Sequence, residues 1–238
     1  MQKVIHKADS RGHVDHGWLN TYHSFSFASW HNPERIRFGV LRVLNDDTVD
    51  PDMGFGMHPH DNMEIVTIIL KGQLQHKDSM GSNGLIKENE IQVMSAGSGV
   101  THSEINPSKD EKVELLQIWV FPRERDIEPR YDQMSFSPEG KRDKLQTLIS
   151  PDKDSKESMW INQDAYFSMG KFEPGKEFTY DIHTPGNGAY VFVIEGTIEV
   201  EGDKLDRRDA MGIYDTDTVN IKILEQETEI LIIEVPMN

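Results

Sequence analysis

Short stretches in which apolar residues alternate with polar ones recur along the whole chain, separated by turn formers. Such alternation marks strands with one face buried, because successive side chains in an extended segment point to opposite sides. The pattern predicts strands over Phe38–Leu44, Glu64–Leu70, Gln73–Lys77, Glu90–Met94 and Val113–Phe121. Asn45-Asp46-Asp47, Gly81-Ser82-Asn83-Gly84 and Gly97-Ser98-Gly99 read as turns among them. HSFSFASW, ending at Trp30, also alternates and reads as a half-buried strand. RERDIEPRYDQM, after Pro122, is charged and irregular and reads as a short helix. Helical periods are otherwise scarce, so the expected class is all-β, a sandwich or barrel.

The pattern then repeats. IILKGQLQHKD at Ile68–Asp78 matches VIEGTIEVEGD at Val193–Asp203, with Gly72 over Gly196. Further strands are expected at Lys144–Ile149, Trp160–Asn162, Ala189–Ile194, Thr218–Leu224 and Glu229–Val235. Two copies of one β-domain follow, not a solenoid of short units. FSPEGKRD, polar and beginning at Phe136, marks the boundary, giving domains 1–137 and 138–238. SPDKDSKES, beginning at Ser150, reads as a surface loop.

Composition narrows the class. The chain has 238 residues, no cysteine and a net charge of −16. Absence of cysteine excludes a disulfide framework and thiolate chemistry. The first domain carries −6 and the second −10. That balance argues against direct binding to a nucleic-acid backbone, though a basic protein partner is compatible with it. No apolar run approaches a membrane span, and MQKVIHKADSRGH lacks the apolar region of a signal peptide. A cytoplasmic protein is the expectation.

Candidate chemistry lies between Gly54 and Asn106. His58 and His60 are two residues apart, as are His102 and Glu104. Residues at that spacing on a strand share a face, so each pair can aim two donors at one point. Three imidazoles and one carboxylate suit a divalent first-row metal such as iron, manganese, cobalt, nickel or zinc. Aligning the repeats puts Ile182 and Thr184 over the first pair and Ile221 and Ile223 over the second. None of these four binds metal, so the second domain is expected to lack ligands, with His183 a strand or loop histidine.

HPHDNMEIVTIILKG, SAGSGVTHSEIN and the opening HGWLNTYHSFSFASW resemble the pirin family of the cupin superfamily over the whole chain. The resemblance implies a bicupin: two face-to-face β-barrels with one mononuclear metal, usually iron, in the N-terminal barrel. It places the ligands at His58, His60, His102 and Glu104. The general cupin pattern has glycine where Asp52 stands and proline where Gly97 stands, and takes its carboxylate from the first motif, here Glu64. The pirin-type pattern prefers Glu104 and leaves Glu64 as a supporting group or salt-bridge member. Two functions are implied. One is a quercetin 2,3-dioxygenase that binds a flavonol and dioxygen and releases carbon monoxide, with Glu104 as ligand and base. The other is a metal-dependent, redox-responsive partner of a transcription regulator, without catalysis. Phe27, Phe55, Met57 and Met63 are candidates for the wall around a flat aromatic substrate.

Overall fold

A computed structural model describes residues 1–238. The first half forms β1 (Gln2–His6), β2 (Gly12–Asp15), β3 (Leu19–His23), β4 (Leu41–Val49), β5 (Gly54–His60), β6 (Glu64–Lys71), β7 (Gln73–Asp78), β8 (Asn83–Lys87), β9 (Glu90–Ser95), β10 (Val100–Ile105), β11 (Val113–Val120) and β12 (Arg130–Ser135). The second forms β13 (Gln146–Ser150), β14 (Met159–Trp160), β15 (Tyr166–Phe172), β16 (Glu177–Asp181), β17 (Asn187–Glu195), β18 (Ile198–Val200), β19 (Asp203–Leu205), β20 (Ala210–Tyr214), β21 (Thr218–Ile223) and β22 (Thr228–Pro236). Helix is confined to two 3-10 turns, and no helix is long and apolar enough to cross a membrane.

Each half builds a seven-stranded and a four-stranded sheet. The first has the orders β12-β9-β6-β11-β4-β3-β2 and β5-β10-β7-β8. The second has β1-β20-β17-β22-β15-β13-β14 and β16-β21-β18-β19. The small sheets and the four strands β9-β6-β11-β4 and β20-β17-β22-β15 match in order, so the repeat in the sequence is a repeat of topology, and the two halves differ only at the edges of the large sheets. Gly72 and Gly196 occupy the same place in it, with φ of 81° and 82°, a left-handed conformation that glycine adopts without a Cβ penalty. One strand crosses between the halves: β1 pairs with β20, with His6 opposite Ala210. The first residues of the chain therefore complete the sheet of the second half.

The two large sheets pack face to face. Their inner faces share one core of 27 buried residues, among them Leu44, Val66 and Ile118 from the first half and Phe167, Tyr190 and Ile233 from the second. EIVTIILK on β6 shows why the sequence folds this way. Val66 and Ile68 enter the core between the barrels, while Ile65 and Ile69 enter smaller clusters inside the first barrel. A strand buried on both faces reads as a continuous apolar run. The interior of the second barrel holds 15 buried apolar residues, including Val191, Ile221 and Ile223.

Most strands fall within a residue or two of their predicted places, with three differences. Asn45-Asp46-Asp47 is no turn but the middle of β4. Asp46 points outward and meets Arg11 at 3.0 Å, while Asn45 and Asp47 are buried. HSFSFASW extends as a strand only to His23. Beyond it, hydrogen bonds from Asn32 N to Ser26 Oγ and from Arg42 to the Ser26 carbonyl hold an irregular loop. Side-chain bonds of that kind compete with a strand ladder. RERDIEPRYDQM forms no helix: Asp126 has φ of 56°, Pro129 breaks the run, and Arg130–Ser135 become β12 beside β9.

His6 supplies a test of the β1 crossing. It is buried against Tyr190, with Nδ1 2.9 Å from the phenol oxygen. Burial, helped by the Arg35 cation, pushes its pKa down to about 4. A depressed histidine costs nothing above its unfolded value near 6.5, and stability is lost as pH falls from there toward 4. The stability advantage of wild type over His6→Gln, read from urea unfolding, is expected to shrink by about 3 kcal/mol between pH 8 and pH 4. Parallel pH profiles would show that His6 is not buried as a neutral ring.

Candidate metal centre

β5 and β10 lie antiparallel, with His58 opposite His102 and His60 opposite Val100. The register shifts between His102 and Glu104, where β5 carries an extra residue. Such a bulge bends a strand and re-aims its side chains. At Gly54 the strands approach so closely that a Cβ would run into the Glu104 carbonyl oxygen. Glycine is therefore required there for contact, independent of flexibility.

The three imidazoles converge. Ring centroids are 4.4 Å apart for His58 and His102, 4.8 Å for His60 and His102, and 4.9 Å for His58 and His60. One donor nitrogen from each lies within 4.8 Å of the others. His58 Nδ1 donates to the Gly56 carbonyl at 2.7 Å, which fixes its tautomer and leaves Nε2 for the cluster. His102 Nε2 is buried without a hydrogen-bond partner. Burial, with the neighbouring imidazoles adding to it, pushes His102 down to about 2, and burial with His58 pushes His60 down to about 4. Neutral rings with free nitrogens aimed at one point are what a metal ion requires. The donor set fits a divalent transition metal.

Glu104 closes on a second, overlapping point, with His102 and His76. It is buried, and burial raises its pKa against the opposing effect of His76. Gln117 Nε2 donates to both carboxylate oxygens, at 3.2 and 3.0 Å, and Thr67 Oγ1 donates at 3.3 Å. His76 is absent from the residues singled out in the sequence. It stands on β7 opposite Glu104, its Nδ1 is 3.4 Å from His102 Nδ1, and its Nε2 is 3.1 Å from Asp78. Asp78, His76 and His102 thus form a chain that orients the His102 ring. The signal was present: His76 and Asp78 are a third pair at strand spacing on the neighbouring strand.

Glu64 is elsewhere. It lies on the opposite face of β6 from Ile65 and Thr67, where it accepts from Ser95 Oγ at 2.8 Å and from the Asn162 backbone of the second half at 3.1 Å. The turn at 61–63 separates β5 from β6, so the even spacing of His60 and Glu64 does not put them on one strand face. Asp52 has φ of 57°, so an aspartate occupies a left-handed position that suits glycine. Gly97 has φ of 49°, which proline cannot adopt.

The imidazoles and Glu104 line a cavity of about 490 Å³ inside the first barrel. Phe27, Phe55 and Trp119 form part of its wall. Neither methionine lines it: Met63 packs against the cluster of Ile65, Met94 and Val100, and Met57 is 60% exposed and belongs to the outer surface. In β5 the odd position beside two inward histidines faces solvent, so the expectation for Met57 fails.

Two stacked barrels with an imidazole–carboxylate cluster inside one of them define a bicupin with a candidate metal centre. Residues 4–120 match the family model described as Pirin, and residues 147–235 match the quercetinase C-terminal cupin domain. The chain belongs to the pirin family. It is 37% identical to the quercetin 2,3-dioxygenase of Escherichia coli (strain K12) over 98% of both chains. It is 36% identical to a pirin-like protein of Caulobacter vibrioides, covering 94% of this chain and 96% of that one. The crystal structure of the bacterial pirin YhhW from Escherichia coli in complex with nickel(II) superposes with a TM-score of 0.93, at 35% identity over 100% of both chains.

Carboxylate variants test the site directly. Glu104→Gln keeps the Gln117 neighbourhood in place but removes the charge, and is expected to emerge from purification with most of its metal lost. Glu64→Gln, on the far face of β6, is expected to keep its metal. His76→Gln is expected to weaken metal affinity by roughly 10–100-fold, as loss of a group orienting a ligand does. Elemental analysis after identical reloading reads all three. An empty Glu64→Gln beside a loaded Glu104→Gln would transfer the ligand role to Glu64.

Proposed function

We propose that the chain is a metal-dependent dioxygenase that cleaves a flavonol such as quercetin by 2,3-dioxygenation and releases carbon monoxide. The observation that carries this reading is the unpartnered His102 Nε2, set among His58 and His60 on the wall of a largely apolar cavity. The name borne by the Escherichia coli relative supports the same chemistry. In this reading residues 1–137 are the working cupin, and residues 138–238 are a supporting cupin without ligands.

His58, His60, His102 and Glu104 would hold one divalent ion, iron in the cell, with nickel, manganese, cobalt or zinc taking its place according to supply. Bound there, the ion would act as a Lewis acid toward the enol hydroxyl of the substrate and lower its pKa. Glu104 takes the enol proton. Its burial raises its proton affinity, and the bonds from Gln117 and Thr67 hold the carboxylate in one orientation. Phe27, Phe55 and Trp119 bury the flat rings and keep water from the reacting carbon. The cavity volume falls in the range of small-molecule sites.

Aerobic incubation of the metal-loaded protein with quercetin is expected to consume dioxygen and release one carbon monoxide per flavonol, detected by haem binding of the gas. Metal-stripped protein is expected to release none. Flavonol loss without carbon monoxide, or equal release by the stripped protein, would overturn the reading.

A further inference from the structure

A row of polar side chains crosses the interior of the first barrel. By register it runs His23 on β3, Asn45 on β4, Gln117 on β11, Thr67 on β6 and Gln92 on β9, each opposite the next. All five are buried. One layer along, Thr21 faces Asp47 across the same β3/β4 pair, and both are buried as well. Apolar clusters lie on either side: Leu19, Val49 and Leu115 in one, Ile65, Met94 and Val100 in the other.

The row divides in three, and its end member Gln92, whose side-chain atoms are also unpartnered, does not line the cavity. Gln117 and Thr67 are bonded to Glu104 and belong to the metal centre. On the β3/β4 side, Thr21 Oγ1, His23 Nδ1, Asn45 Oδ1 and Asp47 Oδ1 are all buried without a hydrogen-bond partner. The four residues line the same cavity as the imidazoles. A buried polar atom left unpaired costs about 1–3 kcal/mol. Four on one patch, in a barrel otherwise packed with branched apolar residues, mark a surface shaped for something that enters the cavity.

We propose that Thr21, His23, Asn45 and Asp47 form a second subsite, which takes the hydroxyl groups of an aromatic ring of the substrate while another part of the molecule engages the imidazoles. This rests on the aromatic-substrate reading above and extends it to the substrate's far end. The chemistry of the patch selects the ligand. Asn45 Oδ1 and Asp47 Oδ1 are acceptors, and Thr21 and His23 can also accept. An acceptor-rich patch calls for O–H donors. Asn45 and Asp47 stand two residues apart on one face of β4, with His23 and Thr21 opposite them on β3, so the patch offers more than one acceptor to a hydroxylated ring. A wall of rings leads from the patch to the metal centre. His23 meets Phe27 edge-on at 5.2 Å, Phe27 meets Trp119 at 5.3 Å, and Trp119 meets His60 at 4.9 Å. A flat molecule lying along that wall reaches both ends.

The test uses metal-loaded protein without dioxygen, so that binding is read apart from turnover. Tryptophan quenching gives Kd for three flavonols that carry two, one or no hydroxyls on the pendant ring. Wild type is expected to weaken by about 3–10-fold for each hydroxyl removed, the worth of one buried hydrogen bond. Asn45→Ala and Asp47→Ala are each expected to lose about one such step, the double variant to bind all three alike, and Asp47→Asn, which keeps an acceptor, to retain much of the preference. Calorimetry with 1,2-dihydroxybenzene on the same proteins separates this from the flavonol reading. Any chelation of the metal by the diol is common to wild type and variants, so a weaker diol Kd in both alanine variants reports the patch alone. That result with no flavonol binding would retain the subsite and discard flavonols as substrates. Equal diol binding by wild type and both alanine variants, each shown folded by its thermal transition, would overturn the subsite.

Discussion

Everything at the candidate centre depends on burying polar groups inside a barrel whose other contents are apolar. A buried donor or acceptor must find a partner or carry the cost of having none. Glu104 meets that requirement through Gln117 and Thr67, and His58 through the Gly56 carbonyl. His102 meets half of it through His76, and its Nε2 is left over. The scaffold thus spends its hydrogen bonds on orienting the donors and leaves the converging lone pairs free. Such an interior is tolerable only because apolar clusters flank it on either side and the outer face of its large sheet is sealed against the second half.

The second half makes that seal possible. Its large sheet covers the back of β6, β11 and β4, and a loop of the second half contributes the Asn162 N–H that donates to Glu64 Oε2. The crossing of β1 into its sheet ties the two halves at a second point. Its own interior is filled with branched and aromatic side chains where the first barrel holds a cavity. One topology therefore serves two ends: a packed block that braces, and a hollow one that binds.

The limits of legibility follow from the same polar layer. The strands, the repeat and the two ligand pairs were readable because they rest on local alternation, which backbone geometry enforces residue by residue. Asn45-Asp46-Asp47 reads as a turn because three polar residues in a row ordinarily mark one. Here two of them face a cavity and the third faces Arg11 and Arg208. The spacing of His76 and Asp78 is legible along β7, but that His76 stands behind His102 and opposite Glu104 follows only from the pairing of β7 with β10. Glu64 is an even number of residues from His60, but a turn intervenes and β6 belongs to another sheet, so that spacing says nothing about a shared face.

By itself, the sequence determined the all-β class, the internal duplication, the family, and which imidazoles can share a strand face. These are consequences of side-chain period and residue type along a continuous segment. Tertiary structure alone decided which carboxylate meets the histidines, that His76 stands behind His102, and that five strands contribute to one polar row. Those are relations between strands distant in sequence. Their register is set by the turns, the bulge between β5 and β10 and the packing of two sheets, none of which a single segment encodes.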